Sequence, residues 1–216
     1  MNEHKKIEED KNRFFYKIKK FWNFIWHGES FLSWFAFLIF IFVIIKFVFF
    51  PLISLIFGTS LPIVIVESCS MYHGSGFDSW WENHNEWYLK HDFTKEQFIE
   101  FPLKNGFSKG DIFVVTGVKE SDIKTGDVII FRAGTAGRPI IHRVVSINSL
   151  QTKGDNNAIQ FTTGNNPEQI NEKYIKEEQL VGKVVPLKIP ALGWIKLIFY
   201  EPFRQENQRG FCTESP

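Results

Sequence analysis

The sequence predicts a mostly β domain, built from small sheets or a partly closed barrel, behind one N-terminal transmembrane helix and interrupted by a small helical insertion. Three observations predict this. Residues 31–57 form an almost unbroken apolar run, the chain beyond them breaks into short β-branched stretches separated by turn residues, and one aromatic-rich segment among those stretches has helical signals. At 216 residues the chain is long enough for one modest globular domain and something more. Its apolar residues, 44% of the total with 24 Phe, crowd into that single run.

Residues 1–30 are basic and aromatic. Lys5, Lys6, Lys11, Arg13, Lys17, Lys19 and Lys20 all precede the apolar run, and basic flanks stay cytoplasmic. Residues 1–30 are therefore expected in the cytoplasm and residues 60–216 on the exterior side of a cell membrane. The stretch RFFYKIKKFWNFIW interleaves basic and aromatic side chains, a pattern shared by nucleic-acid binders and by amphipathic segments lying on anionic lipid. Because it abuts an anchor, the lipid bilayer is the expected partner. A net charge of +1 gives no support to a nucleic-acid partner.

Residues 31–57 read FLSWFAFLIFIFVIIKFVFFPLISLIF, with Lys46 as the single charge. A helix of this length spans roughly 40 Å, more than the ~30 Å hydrocarbon core of a bilayer. A buried core helix would be amphipathic and shorter. A cleaved secretory signal would end near Lys46 at a small-residue site, which is absent. The expected element is an uncleaved anchor that crosses once, with Lys46 reaching toward an interface and Pro51 able to kink it.

The exterior domain, 60–216, is read from PIVIV (62–66), DIFVV (111–115), DVIIF (127–131), PIIHRVVSI (139–147) and LVGKVVPL (180–187). The insertion occupies 77–106. Within residues 78–102, Thr94 and Gln97 have the spacing of a capping box and Pro102 is a stop. Its aromatic residues either pack the helices onto the sheet or rest among lipid headgroups. It lacks an acid–base constellation, so it is expected to position enzyme or substrate without entering bond making. His73, His84 and His91 match no metal-ligand spacing, and neither a metal nor a cofactor is expected. Cys69 and Cys212 are no disulfide framework and are expected to be free thiols.

The chemistry is sought in VESCSMYHGSG (66–76), which carries three candidate nucleophiles, Ser68, Cys69 and Ser70. On an extended segment Ser68 and Ser70 share a side and Cys69 faces the other. A hydrolytic serine needs a base and an acid that orients the base. His142 lies in a strand-like run, and Asp155, in the turn QTKGDNN, is the only Asp after it. By spacing alone Ser, His142 and Asp155 form a weak candidate triad.

Order and context sharpen it. ESCSM after an anchor, then KGDIFVV, TGDVIIF, IIHRVV, TKGDNN and VGKVV stand in the order seen in type I signal peptidases. From about residue 35 to 199, with 77–106 outside the match, the chain resembles the archaeal and endoplasmic-reticulum branch of that family. The bacterial branch has a lysine at the position of His142. The resemblance implies that Ser70, directly before Met71, is the nucleophile, His142 the base, and Asp155 the orienting acid. It further implies a membrane-anchored serine endopeptidase that removes signal peptides from secreted preproteins through an acyl-enzyme. The expected partners are those signal peptides and the protein translocation machinery.

The chain departs from the family pattern. Met71 is followed by Tyr72 and His73 where the usual residues are x-Pro. The position of a second acid, six residues beyond Asp155, is Phe161. Asp155 is then expected to serve, with Glu168 as the other acid. The rival reading is a catalytically silent, membrane-anchored binding or accessory subunit on the same scaffold.

Overall fold

Ser30 begins the apolar helix by accepting the Ser33 N–H on its Oγ at 3.2 Å, the usual way an exposed N-terminal N–H is satisfied. The computed structural model describes residues 2–74, 76–133, 137–163 and 170–213, which fall into two units, Met1–Ile53 and Ser54–Pro216.

In the first unit, α1 (Asn2–His27) is followed by α2 (Phe31–Ile44). Trp22 and Trp26 lie edge-on to Phe37 and Phe40, and the Ser33 hydroxyl donates to the Phe24 carbonyl, so α1 folds back onto α2. Backbone helix continues through a π-helical turn, Ile45–Phe49, into α3 (Phe50–Phe57). There the Phe50 N–H donates to Ile45 O, five residues back. Pro51 has no N–H and crowds the carbonyl four residues before it, and the wider π turn absorbs that conflict. Lys46 sits over the Phe42 and Phe47 rings. Among the described residues, Phe31–Phe57 is the one helix long and apolar enough to cross a membrane, and none of its apolar side chains is buried.

The second unit is organised by one six-stranded antiparallel sheet. Its strands are β1 (Ile63–Ile65), β2 (Ile112–Thr116), β3 (Val128–Arg132), β4 (Pro139–Ser146), β5 (Gln151–Lys153) and β6 (Leu180–Ile189), in the spatial order β1-β2-β6-β3-β4-β5. The expected small sheets are thus a single sheet. Both faces are covered: on β3, Val128 and Ile130 join a core with Val66, Met71 and Phe113, while Ile129 and Phe131 join another with Val144, Leu150 and Ile175. A strand buried on both faces must be apolar at successive positions, which is why DVIIF shows no alternation.

The insertion folds as α4 (Phe77–Leu89) and α5 (Lys95–Ile99). Thr94 and Gln97 make the reciprocal capping box their spacing anticipates. Phe77, Trp80, Trp81, Tyr88 and Phe98 are buried against one another and Val145 of β4. The aromatic stripe therefore packs the insertion onto the sheet.

Candidate active site

Ser70 follows β1 on a turn closed by the Tyr72 N–H donating to Cys69 O at 3.1 Å. Its hydroxyl is 2.9 Å from His142 Nε2 and 3.1 Å from the Ser68 hydroxyl. His142 lies on β4, paired across to Ile129 of β3, and is 3% exposed. On its other side Nδ1 donates to Glu172 Oε1 at 2.5 Å, which fixes the tautomer: Nε2 is the acceptor for the Ser70 proton. The second Glu172 oxygen accepts the Phe161 N–H at 2.7 Å, and the Glu172 backbone bonds to both Phe161 and Thr152. Glu172 is fully buried.

Glu172 was missed in sequence. Nothing in NEKYI distinguishes it from the neighbouring glutamates. It reaches His142 only because the chain pairs residue 172 across from 161 and 152. Phe161, which fills the position of the expected second acid, delivers its own N–H to the carboxylate that replaces it.

Asp155 differs from expectation. It lies in the turn between β5 and Asn157, fully buried, and it makes no hydrogen bond to His142. Its carboxylate accepts from Arg143 Nε at 3.0 and 3.1 Å and Nη2 at 2.7 Å, from His73 Nε2 at 2.9 Å and from Tyr88 Oη at 3.0 Å. The physical reason is strand alternation: Arg143 and His142 are neighbours on β4 and point to opposite faces, so the acid engaged by Arg143 is not the one at His142. Burial alone would raise the Asp155 carboxyl, but the Arg143 guanidinium and the His73 hydrogen bond outweigh it and hold it well below the usual carboxylate range. Burial holds the His73 imidazole below its ordinary value. Glu168, the other acid weighed, lies outside the described residues.

Cys69 and Cys212, expected free, are joined in a disulfide. The C-terminal segment is brought back by Lys109, whose Nζ donates to Glu201 and to the carbonyls of Gln208 and Gly210. No local signal in sequence links two cysteines 143 residues apart. With its sulfur bonded, Cys69 is no nucleophile. His84 and His91 donate from Nδ1 to the Trp80 and Trp87 carbonyls of their own helix.

Serine, imidazole and carboxylate in series, on a six-stranded antiparallel sheet, define a serine-hydrolase-like site. Comparison with known proteins narrows the likeness. No family model matches the chain. It is 24% identical over 107 residues to the signal peptidase complex catalytic subunit SEC11C of Homo sapiens, across 44% of this chain and 52% of that protein. It is 29% identical over 107 residues to the signal peptidase complex catalytic subunit SEC11 of Candida tropicalis, across 46% of this chain and 61% of that one. The chain spans about half the length of the first of these relatives. The similarity supports a signal-peptidase-I-like family.

Proposed function

We propose that this chain is a membrane-anchored serine endopeptidase of the signal peptidase I kind, in which Ser70 is the nucleophile, His142 the general base and Glu172, in place of Asp155, the orienting acid. The observation that carries the reading is the hydrogen-bonded series Ser70 Oγ, His142, Glu172. Ser70 attacks the scissile carbonyl as His142 Nε2 takes its proton. His142 then protonates the leaving amine, and water hydrolyses the acyl-enzyme by the same route. Glu172 stabilises the imidazolium that forms in each step. The Ser70 N–H, and the Ser68 hydroxyl 3.1 Å from the Ser70 hydroxyl, would donate to the developing oxyanion.

The substrate is read from unpaired strand edges. β1 is the edge of the sheet and pairs with β2 alone. On β4, residues 139–142 pair with β3 but not with β5, whose pairing begins at Arg143. Between these two edges lies an apolar slot of about 40 Å³, lined by Val64, Val66, Ile130, Pro139 and Ile141 among others. One edge leads to Ser70 and the other ends at His142. An extended peptide that adds as a strand in this slot meets both, and a cavity so small admits only small side chains. That fits the small residues before the cleavage point of a signal peptide.

The anchor at 31–57 and the basic segment before it support a single-pass arrangement with residues 1–30 cytoplasmic and 60–216 exterior. Preproteins delivered by the translocation machinery would reach the site at the membrane. The decisive test is cleavage of a model preprotein by the purified, membrane-reconstituted chain. Wild type should cleave, and Ser70→Ala should lose at least about 10³-fold in rate. A folded wild type no more active than Ser70→Ala would return the silent accessory-subunit reading. Protease added to intact cells should shave the C-terminal domain, and a tag at Pro216 protected from outside would reverse the topology.

A further inference from the structure

The buried group around Asp155 takes no part in the steps above, yet it touches both halves of the site. Arg143 is fully buried and all five of its N–H groups are used. Those not given to Asp155 go to the carbonyls of Pro102, Leu103 and Gly126 at 2.7–3.0 Å. Pro102 and Leu103 belong to the insertion. From α4, Tyr88 sends its hydroxyl to Asp155, and Trp80 stacks on His73, with centroids 3.8 Å apart and planes 3° from parallel, behind the imidazole that also donates to Asp155. The Lys153 ammonium, next to the Asp155 turn, lies over the faces of Trp87 and Tyr88 at 5.3 and 4.7 Å.

The turn held in this way reaches the catalytic atoms. The Asn156 N–H donates to Ser70 O at 2.7 Å, and its side chain donates to Cys69 O at 3.2 Å. The Asp155 N–H points to Met71 Sδ at 3.3 Å. A methyl on Gly154 would stand 2.8 Å from His142 Nε2, so the turn backbone is in contact with the imidazole. One residue past the insertion the Phe107 N–H holds Met71 O at 2.9 Å. The insertion thus grips Arg143, which adjoins His142, and Asp155, while Phe107, the residue after it, holds Met71, which adjoins Ser70.

We propose that the 77–106 insertion is a clamp on the reacting pair: through Tyr88 it fixes Asp155, and Asp155 fixes the Gly154–Asn157 turn that sets the distance between Ser70 and His142. Asp155 and Tyr88 are positioning residues, since neither touches the reacting atoms. The inference rests on reading Ser70 as the nucleophile. A serine hydroxyl placed even 1 Å away from its base costs up to about 10²-fold in rate, so holding the turn bears directly on the rate.

The test is Tyr88→Phe, which keeps the ring and removes one donor to Asp155, beside Asp155→Asn and the exposed control Lys90→Ala. Two readouts are taken. Hydrogen exchange followed by mass spectrometry needs no activity. In Tyr88→Phe, protection should fall about tenfold in peptides covering 66–73 and 154–160 and be unchanged in 180–189. In single-turnover cleavage, Tyr88→Phe should lose about 10-fold in rate with KM within twofold of wild type, and Lys90→Ala should lose nothing. The double variant Tyr88→Phe/Asp155→Asn should be no slower than the worse single variant, because both act on one turn. Exchange that changes only within 77–99, or a wild-type rate per folded molecule despite a lower Tm, overturns the clamp. If Asp155→Asn does not fold, Tyr88→Phe decides alone. A wild-type chain with no activity at all refutes the nucleophile reading, and exchange still decides whether the insertion holds the turn.

Discussion

The imidazole of His142 is useful only while something stabilises its protonated form, and the group placed to do so is Glu172 at 2.5 Å. Glu172→Gln keeps an acceptor for the Phe161 N–H but removes the charge, so cleavage should fall by about 10²–10⁴-fold in single-turnover measurements, with the fold retained. Asp155→Asn should fall less, by about 10–100-fold, since it acts only through the turn. Asp155→Asn collapsing while Glu172→Gln stays near wild type would exchange the two roles. Lys153 is the other residue with a measurable signature. Burial lowers its ammonium from 10.5 to about 8. Between those values the unfolded chain keeps a proton that the native state has released, so stability rises with pH. The rise should amount to about 1–2 kcal/mol between pH 8 and roughly 9.5. Above about pH 10, Tyr88, whose hydroxyl burial holds well above 10, opposes and then reverses the slope because the unfolded chain ionises first. Denaturant midpoints across this range should climb for wild type and stay flat for Lys153→Met. On the acid side the signs of His73 and Asp155 agree. Both are held below their ordinary values, so the unfolded chain binds the extra protons and stability falls below about pH 6.5 for His73 and about pH 4 for Asp155.

Among the elements, the insertion carries the clearest consequence. Read as sequence it is an accessory that a peptide substrate could do without. In the structure it covers Val145 of β4, supplies Pro102 and Leu103 carbonyls to a fully buried guanidinium, and donates Tyr88 to Asp155. Replacing residues 78–102 with a Gly/Ser bridge would strip Tyr88 and the native Pro102 contact from a charged pair that stays buried, which typically costs about 3–5 kcal/mol. Both short-peptide hydrolysis in detergent and preprotein processing should therefore be lost together, with a lowered Tm by thermal scanning. Selective survival of the peptide activity would mean that the insertion acts on substrate delivery and leaves the site intact.

For the second unit as a whole, the disulfide between Cys69 and Cys212 ties the residue beside Ser70 to the last described segment. Lys109 holds the same segment through Glu201 and two carbonyls, and Arg204 holds Glu67. Cys212→Ser should lower the unfolding free energy by about 2–4 kcal/mol yet leave the segment docked through these ion pairs at low temperature. A reductant should lower the wild-type Tm toward that of Cys212→Ser and leave the variant unchanged. A wild-type Tm indifferent to reductant would show that the bond does not contribute.

Read alone, the sequence determined the features whose cause is local. The apolar run to Phe57, the capping box at Thr94 and Gln97, the strand runs and the pair Ser70 and His142 could all be found, because helix period, turn chemistry and motif order are written in neighbouring residues. Strand β5 escaped, since Gln151–Lys153 is short and polar outside. The partners of His142 and Asp155 and of the two cysteines were decided only by tertiary structure. Which carboxylate meets an imidazole depends on strand register, where a one-residue step turns a side chain to the other face. On β4 that step separates His142, which finds Glu172, from Arg143, which takes Asp155.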